Sequence, residues 1–533
     1  MEHVPEPVRI GKGVAALIGL LSVAAALAAG HLVAALTVPA SSPYLAVGNT
    51  AIDLAPQPLK SLAIELFGTA DKLALLIGMA VVLALLAAGA GLLSRTSARA
   101  GVLLVAILGV LGVVAVLARP AVGVGGLWAP VASLLVGLGV LLFLRRTVTT
   151  AAAERAGPAH DENATTAETP SPERSGRRSH GRRRVLVSTL SVATGSAVAA
   201  LTGQRLSSGG RVERSRAALG GLTPDTRAAP IPPGSDFAKS GTPTFLTPNS
   251  EFYRVDTALR VPRITAEQWR LRVHGMVERE LDLSFADLRS RNTVEKPITM
   301  TCVSNPVGGP YVSTAEFIGV PLRDVLAEAG VHEDAEQVFS TSADGFTAGT
   351  PVDVLTDPDR DALLAFGMNG RPLPIEHGFP VRMVTPGLYG YLSATKWVTD
   401  LELTTWDRES YWRTRGWARE APIKTQSRID TPSGFAKVPA GRVTVAGVAW
   451  AQHTGVERVE VRVDGADWRT AELSAPVNRD TWRMWRTELE LPPGGHTVES
   501  RATDRSGYTQ SRKRSPTVPD GATGWHSVFF TAE

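Results

Sequence analysis

Four long apolar runs dominate the front of the sequence: Val14–Val38, Leu73–Leu93, Val102–Leu117 and Leu127–Leu144. Each approaches the ~20 residues that an α-helix needs to cross the hydrocarbon of a lipid bilayer. Arg9 and Lys12 precede the first run, Arg95 and Arg99 separate the second from the third, and Arg145 and Arg146 follow the fourth. Positive charge recurs on one side, which predicts a cytoplasmic amino terminus and a cytoplasmic end to the fourth span. Residues 1–146 therefore read as a four-helix transmembrane region. His31 is the only histidine within these spans, and no acidic residue lies in the middle of one. A bis-histidine haem needs paired imidazoles at membrane depth, and a transporter or channel needs intramembrane charges or broken helices. The bundle is expected to anchor or dock, with no haem in the chain.

Residues 147–184 are rich in Ala, Glu, Thr, Pro, Ser and Arg, a composition that cannot bury enough apolar surface to fold, and read as a cytoplasmic disordered linker. They end in HGRRRVLVSTLSVATGSAVAALTG, where Arg182, Arg183 and Arg184 precede a moderately apolar segment. Residues 185–203 are either a fifth transmembrane segment or resemble an internal twin-arginine export signal, without the lysine often found after the apolar pair. Either reading places everything beyond Gly203 outside the cytoplasm. Residues 204–248, rich in Gly, Pro, Arg and Ser, read as an extracytoplasmic tether, with folded structure starting near Phe252.

A chain of 533 residues is too long for one core. Its formal charge of +4 is small, and much of the basic excess sits in short arginine runs beside apolar segments, so nucleic acid is not an expected partner. The single cysteine, Cys302, excludes an intrachain disulfide and leaves that thiol free for chemistry. The ten histidines show no H-x-x-H, H-E-x-x-H or Cys/His spacing, so a zinc site has no support.

In the soluble half, WRLRVHGMV and ELDLSFADL alternate as short strands with a helical start, PLRDVLAEAGV reads as a helix closed by Gly330, and HGFPVRMVTPG as a strand entering a turn. This is α+β material. After about Pro422 the pattern changes to short alternating segments, RVTVAGVAWA, VERVEVRVDG, TWRMWRTELEL and HTVESRATD, separated by turn residues at the spacing of a β-sandwich. Trp450, Trp468, Trp482 and Trp485 are expected in its core. Cys302 follows a strand-like run and precedes a Gly-rich loop. Taken alone it is compatible with a buried free cysteine or a reactive one. A cysteine-protease reading lacks any distinguishable histidine partner.

Taken in order, TPNSEFYRVDT, WRLRVHGMV, TCVSN, GVPLRDVLAEAG, FSTSADGFT, LLAFGMNGRPLPIEHGFPVRMVTPGLYGYLSATKWV and the tryptophan-rich tail resemble the sulfite oxidase family of molybdopterin enzymes. The resemblance covers roughly Asn249 to Glu533, and its most specific series is M-N-G-x-P-L-P, H-G-x-P-V-R, P-G and K-W following T-C. It implies an α+β molybdopterin-binding oxidoreductase domain over 249–420 and an immunoglobulin-like dimerisation domain over 421–533. It also implies Cys302 as the thiolate ligand of molybdenum, a soft donor suited to a high-valent metal. Asn249, Tyr253, Arg254, Thr341, His377, Arg382, Ser393, Thr395 and Lys396 are then expected to hold the pterin and its phosphate. Arg254, Arg413 and Arg415 are candidates for an anionic substrate at the pocket mouth. Asn369 and Gly370, inside the strongest motif, fit a simple turn.

The implied reaction is two-electron oxygen-atom transfer on a small oxyanion such as sulfite. Two departures bear on it: Pro306, Val307, Gly308 and Gly309 stand where sulfite oxidases usually carry arginines, and Trp417 stands roughly where an active-site tyrosine is expected. A less cationic pocket keeps a neutral sulfoxide open as substrate. Electrons must pass to a separate partner in or near the membrane, and the tail implies a homodimer. A metal-free anchored binding protein is the remaining alternative.

Overall fold

The computed structural model describes residues 10–56, 59, 66–67, 71–119, 124–156, 172–207 and 210–533. They divide into a helical unit, Met1–Ser208 with Ala258–Arg260, and a second unit, Gly209–Thr257 with Val261–Glu533.

The helical unit contains α1 (Lys12–Leu36), α2 (Pro43–Leu54), α3 (Asp71–Leu93), α4 (Ala98–Leu117), α5 (Trp128–Ala156) and α6 (Pro172–Ser207). All four apolar runs are helical. Among the described residues five stretches are long and apolar enough to cross a membrane, the fifth beginning at Arg183 inside α6. Small residues set the packing of α1 on α3: a Cβ added to Gly19 would lie 1.9 Å from the Ala87 carbonyl oxygen, and one on Gly91 1.9 Å from the Ala15 carbonyl oxygen. Ala15 and Gly19, like Ala87 and Gly91, are one turn apart. The two backbones therefore meet directly, the contact that holds helices together where apolar burial offers no advantage.

Two expectations for the connecting segments are corrected. The stretch 147–184, read as unfolded, continues α5 to Ala156 and opens α6 at Pro172, while its middle, 157–171, lies outside the described residues. Ala151, Ala152, Ala153 and Glu154 are strong helix formers and simply prolong the preceding span. The expected tether over 204–248 is also largely folded. It includes α7 (Gly210–Ala218), and Val212 and Leu222 enter the main core, while Phe237 and Phe245 are buried further along. Arg216 donates to the Leu373 carbonyl (2.8 Å), and Thr226 bridges to Val294. Apolar residues this sparse have no helical or strand period, so only docking onto a formed surface reveals them.

The second unit begins with two sheets. Strands β1 (Arg270–Gly275), β2 (Leu281–Ser284), β5 (Gln337–Ser342), β6 (Thr347–Pro351) and β10 (Val398–Thr404) lie in the order β2-β1-β10-β5-β6, with β1 and β10 parallel. Strands β3 (Val294–Thr301), β4 (Val312–Pro321), β7 (Leu363–Met368) and β8 (Arg371–Pro372) follow one another in a second sheet, and β9 (Arg382–Val384) pairs with β7. The alternating segments recognised in the sequence supply β1 and β2. After β2, Ser284 and Asp287 form a reciprocal capping box on α8 (Phe285–Arg289). The helix α9 (Leu322–Ala329) stops at Gly330, whose φ of 70° suits a residue without Cβ. Trp269, Leu271, Phe317, Phe366 and Leu401 belong to the shared core.

Beyond it, β11 (Gln426–Thr431), β13 (Gly441–Trp450), β16 (Glu472–Leu473) and β17 (Arg483–Leu491) form one layer of a sandwich. The other comprises β12 (Lys437–Val438), β14 (Val456–Val463), β15 (Arg469–Thr470), β18 (Gly494–Asp504) and β19 (His526–Ala532). Val445, Val461, Trp485, Val498 and Phe530 fill the space between the layers. Trp450 and Trp482 instead pack with Phe237, Val303, Tyr389 and Trp417 in a third core that joins the sandwich to the two-sheet region. Trp468 is not a core residue: it is half-buried, edge-on to Trp525 at 4.9 Å, with Arg501 over its face at 4.2 Å.

Candidate active site

Strand β3 ends at Thr301 and delivers Cys302 to a cavity of about 130 Å³. The turn after the strand is tight: the Cys302 N–H donates to Tyr311 O and its carbonyl accepts from the Asn305 N–H, both at 3.0 Å. Burial pushes the thiol pKa up, while hydrogen bonds from the Ser304 N–H and hydroxyl favour the thiolate.

Four other expected residues line the same cavity: Tyr253, His377, Arg382 and Lys396. They come from the segment before β1, a short 3-10 turn, β9 and the approach to β10, so tertiary folding alone brings them together. Arg382 is 4% exposed and donates to the carbonyls of His377 (3.1 Å), Met383 (3.3 Å) and Ala394 (3.4 Å). No carboxylate pairs with it among the described residues, and burial lowers its pKa to about 10. Burial, with Arg382 and Lys396 nearby, brings His377 down to about 3, so it stays neutral and acts only through hydrogen bonds. Burial likewise raises the Tyr253 hydroxyl well above its ordinary range.

Lys396 donates to Asp256 Oδ2 (2.9 Å) and to the Glu376 carbonyl (3.2 Å). Its pKa is lowered to about 8, because burial outweighs the Asp256 carboxylate. The unfolded chain therefore binds more protons than the folded one between about 8 and 10.5, and this group makes the cofactor-free fold more stable as pH rises through that window. Lys396→Met should remove that part of the slope in urea unfolding across the window. Equal slopes in the two proteins would show that the lysine is not held this way.

The remaining expected residues lie outside the cavity lining. Asn249 accepts from Asn369 (2.8 Å) and donates to Met368 O (3.3 Å), fastening its segment to the Asn369–Gly370 turn, whose φ values are 52° and 71°. Thr341 is passed over by the pleat in favour of Ser342, which does line the cavity. The Ser393 hydroxyl donates to Leu388 O and Tyr389 O (3.1 Å each), and Thr395 pairs with Ser340 (2.7 Å). Arg254 pairs with Asp256 (2.8 Å) and Arg413 with Glu409 (3.6 Å), while Arg415 stacks over Tyr411 at 3.7 Å.

Sequence reasoning missed Asp256, Ser304, Asp344, Tyr391 and Trp412, all lining the cavity. Burial raises the Asp344 carboxyl, opposed by Ser342, the Phe346 N–H and Lys396. Asp256, Ser304, Asp344 and Tyr391 lie inside the segments that carry the resemblance, which could have pointed to them, whereas Trp412 lies outside every such segment. Trp417 does line the cavity, edge-on to Trp412 at 5.9 Å and tilted against Tyr391 at 5.7 Å. A buried guanidinium without a counter-charge, a second buried cation and a lone thiol together suit an anionic, phosphate-bearing group that also carries a soft-ligated metal.

Comparison with known proteins identifies the cofactor. Residues 258–412 match the oxidoreductase molybdopterin binding domain. Sulfite oxidase of Gallus gallus is 34% identical over 322 residues, covering 51% of this chain and 69% of that protein. Mitochondrial sulfite oxidase of Homo sapiens is 31% identical over 300 residues, covering 48% and 54% respectively. The chain thus spans about half the length of its mammalian relatives. The solved sulfane dehydrogenase SoxCD from Paracoccus pantotrophus aligns at 24% identity and a TM-score of 0.48, over 56% of this chain and 85% of that one. Because the Gallus gallus sulfite oxidase is 34% identical and matched over 69% of its length, the chain belongs to the sulfite oxidase family and is a molybdopterin-dependent oxidoreductase with Mo-molybdopterin as its cofactor.

Proposed function

We propose that this chain is a membrane-anchored, extracytoplasmic oxidoreductase that moves one oxygen atom to or from a small molecule in a two-electron reaction. The observation that carries the proposal is the convergence of the buried Cys302 thiol and the uncompensated Arg382 guanidinium on one cavity. The five apolar helices support the anchor, and the alternation of flanking arginines supports an outward-facing catalytic unit.

When bound, the cofactor supplies the two-electron redox chemistry and the oxygen-atom transfer. Cys302 is the metal's protein ligand, and Arg382 and Lys396 hold the cofactor's anionic groups. Neutral His377 and the Tyr253 hydroxyl fix its polar ring by hydrogen bonds rather than charge. Asp344 can hold or release a proton at its carboxyl on the cavity wall. Trp412, Trp417 and Tyr391 exclude water and shape the substrate space.

Sulfite is the first substrate to test, because it is the substrate named for the Gallus gallus and Homo sapiens relatives. A neutral sulfoxide is the second reading, favoured by the aromatic wall and by Arg254, Arg413 and Arg415 lying outside the cavity lining. Electrons pass to or from a separate partner at the membrane, and the sandwich is the surface for a homodimer.

The test is metal analysis of the purified full-length protein, with sulfite oxidation by ferricyanide and sulfoxide reduction by reduced viologen assayed side by side. Stoichiometric molybdenum with one of these activities is expected. A metal-free protein inactive in both assays sinks the enzymatic proposal and returns the metal-free binding alternative. Protease added to spheroplasts should digest the second unit, and protection there would overturn the outward topology.

A further inference from the structure

Strand β3, which carries Cys302 at its end, is the edge of its sheet. One side pairs with β4 along its whole length. An open edge normally presents its peptide groups to water. Here Thr226 covers the start of the other side, at Val294 and Glu295, and the C-terminal sandwich takes up the rest. Asn478 donates to Pro297 O (2.9 Å), the Thr299 N–H donates to Asp480 O (3.0 Å), and Trp482 N–H donates to the Thr299 hydroxyl (2.8 Å). The Gln452 amide donates to both Thr299 O (3.1 Å) and the Thr301 hydroxyl (3.2 Å). Pro297 has no N–H to leave unpaired on this edge, which fits its place there.

These bonds fall at residues 297, 299 and 301, the positions whose groups alternate outward along an antiparallel edge. The last of them adjoins the cysteine. Gln452, Thr299 and Thr301 are all at most 5% exposed, so water cannot substitute for a lost partner. The loop beyond the cysteine is gripped from the same side. Arg428 donates to Gly309 O (3.0 Å), and the His526 ring lies so close to Gly308 that a Cβ there would be 2.2 Å from Nε2.

We propose that the sandwich, beyond any role in association, positions the Cys302 thiol, with Gln452 as the principal positioning residue and Arg428 securing the following loop. The proposal rests on the reading of Cys302 as the metal ligand for its functional meaning, but the positioning itself can be read without metal.

The chain's only cysteine makes the thiol directly measurable. In cofactor-free full-length protein, Gln452→Met keeps the side-chain length and removes the amide donors. It should raise the alkylation rate of Cys302 by iodoacetamide several-fold. Thr301→Val, which removes one acceptor on the strand itself, should do the same. Val461→Ala, a cavity within the sandwich core far along β14, controls for general loss of stability and should leave the rate unchanged. In the molybdenum-loaded protein, Gln452→Met should shift the sulfur-to-metal absorption band and lower kcat with little change in KM. Equal alkylation rates and spectra in wild type and in Gln452→Met and Thr301→Val would overturn the proposal, as would a Val461→Ala response as large as theirs. Absence of molybdenum from wild type would defeat the cofactor reading and leave the alkylation result to decide the positioning.

Discussion

Cys302→Ser is expected to fold, to lose the sulfur-to-metal absorption band, and to lose more than ~100-fold of the molybdenum-dependent turnover, beyond the 10- to 100-fold typical of outer partners of a metal ligand. Cys302 is the only thiol the cavity offers among the described residues, its other sulfur being the neutral thioether of Met300, and a serine oxygen neither shares electron density with the metal in the same way nor ionises at neutral pH. The fold should tolerate the change at a cost of about 1–2 kcal/mol or less, because the Ser304 N–H and hydroxyl that face the sulfur can serve the new hydroxyl instead. Circular dichroism and a thermal midpoint establish folding, and steady-state assays with sulfite and with a sulfoxide read the loss. Full activity in the serine variant, with either substrate, would falsify the assignment of Cys302 as the metal's ligand.

Arg382→Met should separate cofactor retention from stability, and with opposite signs. In the cofactor-free protein the guanidinium is a buried charge whose partners are three carbonyls and no carboxylate among the described residues. Taking a single ion out of water costs several kcal/mol, a cost that an apolar side chain of similar volume avoids. The cofactor-free variant should therefore unfold at the same urea midpoint or a higher one, even after losing those carbonyl bonds. The cofactor's phosphate, in contrast, loses bonds to a charged donor worth about 1.5–3 kcal/mol each, so retention on gel filtration should fall by roughly 10- to 100-fold per bond. A variant that keeps its molybdenum but unfolds more easily would show that Arg382 braces the backbone of His377 and Ala394 and does nothing for the cofactor.

That long apolar helices precede a β-rich region was legible from the chain. The apolar runs announce four helices because a span must be apolar on every side. Strands such as Arg270–Gly275 and Val456–Val463 show their two-residue alternation, and Gly330 closes its helix where a left-handed residue is needed. The motif order M-N-G, H-G-x-P-V-R and K-W picked out His377, Arg382 and Lys396, and these do meet Cys302 at one cavity. The same motifs also suggested Ser393 and Thr395, which turn away to satisfy carbonyls and Ser340. Residues adjacent in a motif can face opposite sides of the chain, and only the local backbone decides which.

What the sequence by itself determined was type and periodicity: helices apolar enough to cross a membrane, an α+β region, a β-sandwich, and a lone thiol with no disulfide partner. Tertiary structure alone decided which side chains converge. Asp256 meets Lys396 from 140 positions away, and Asp344 and Trp412 enter the cavity from separate loops. It also decided that the segment after Gly209 is folded, since a few isolated apolar side chains acquire meaning only against a surface already formed. Gln452, in the turn between β13 and β14, and Arg428, in β11, reach the cysteine strand and its loop because the sandwich packs against an open sheet edge whose buried peptide groups must find partners.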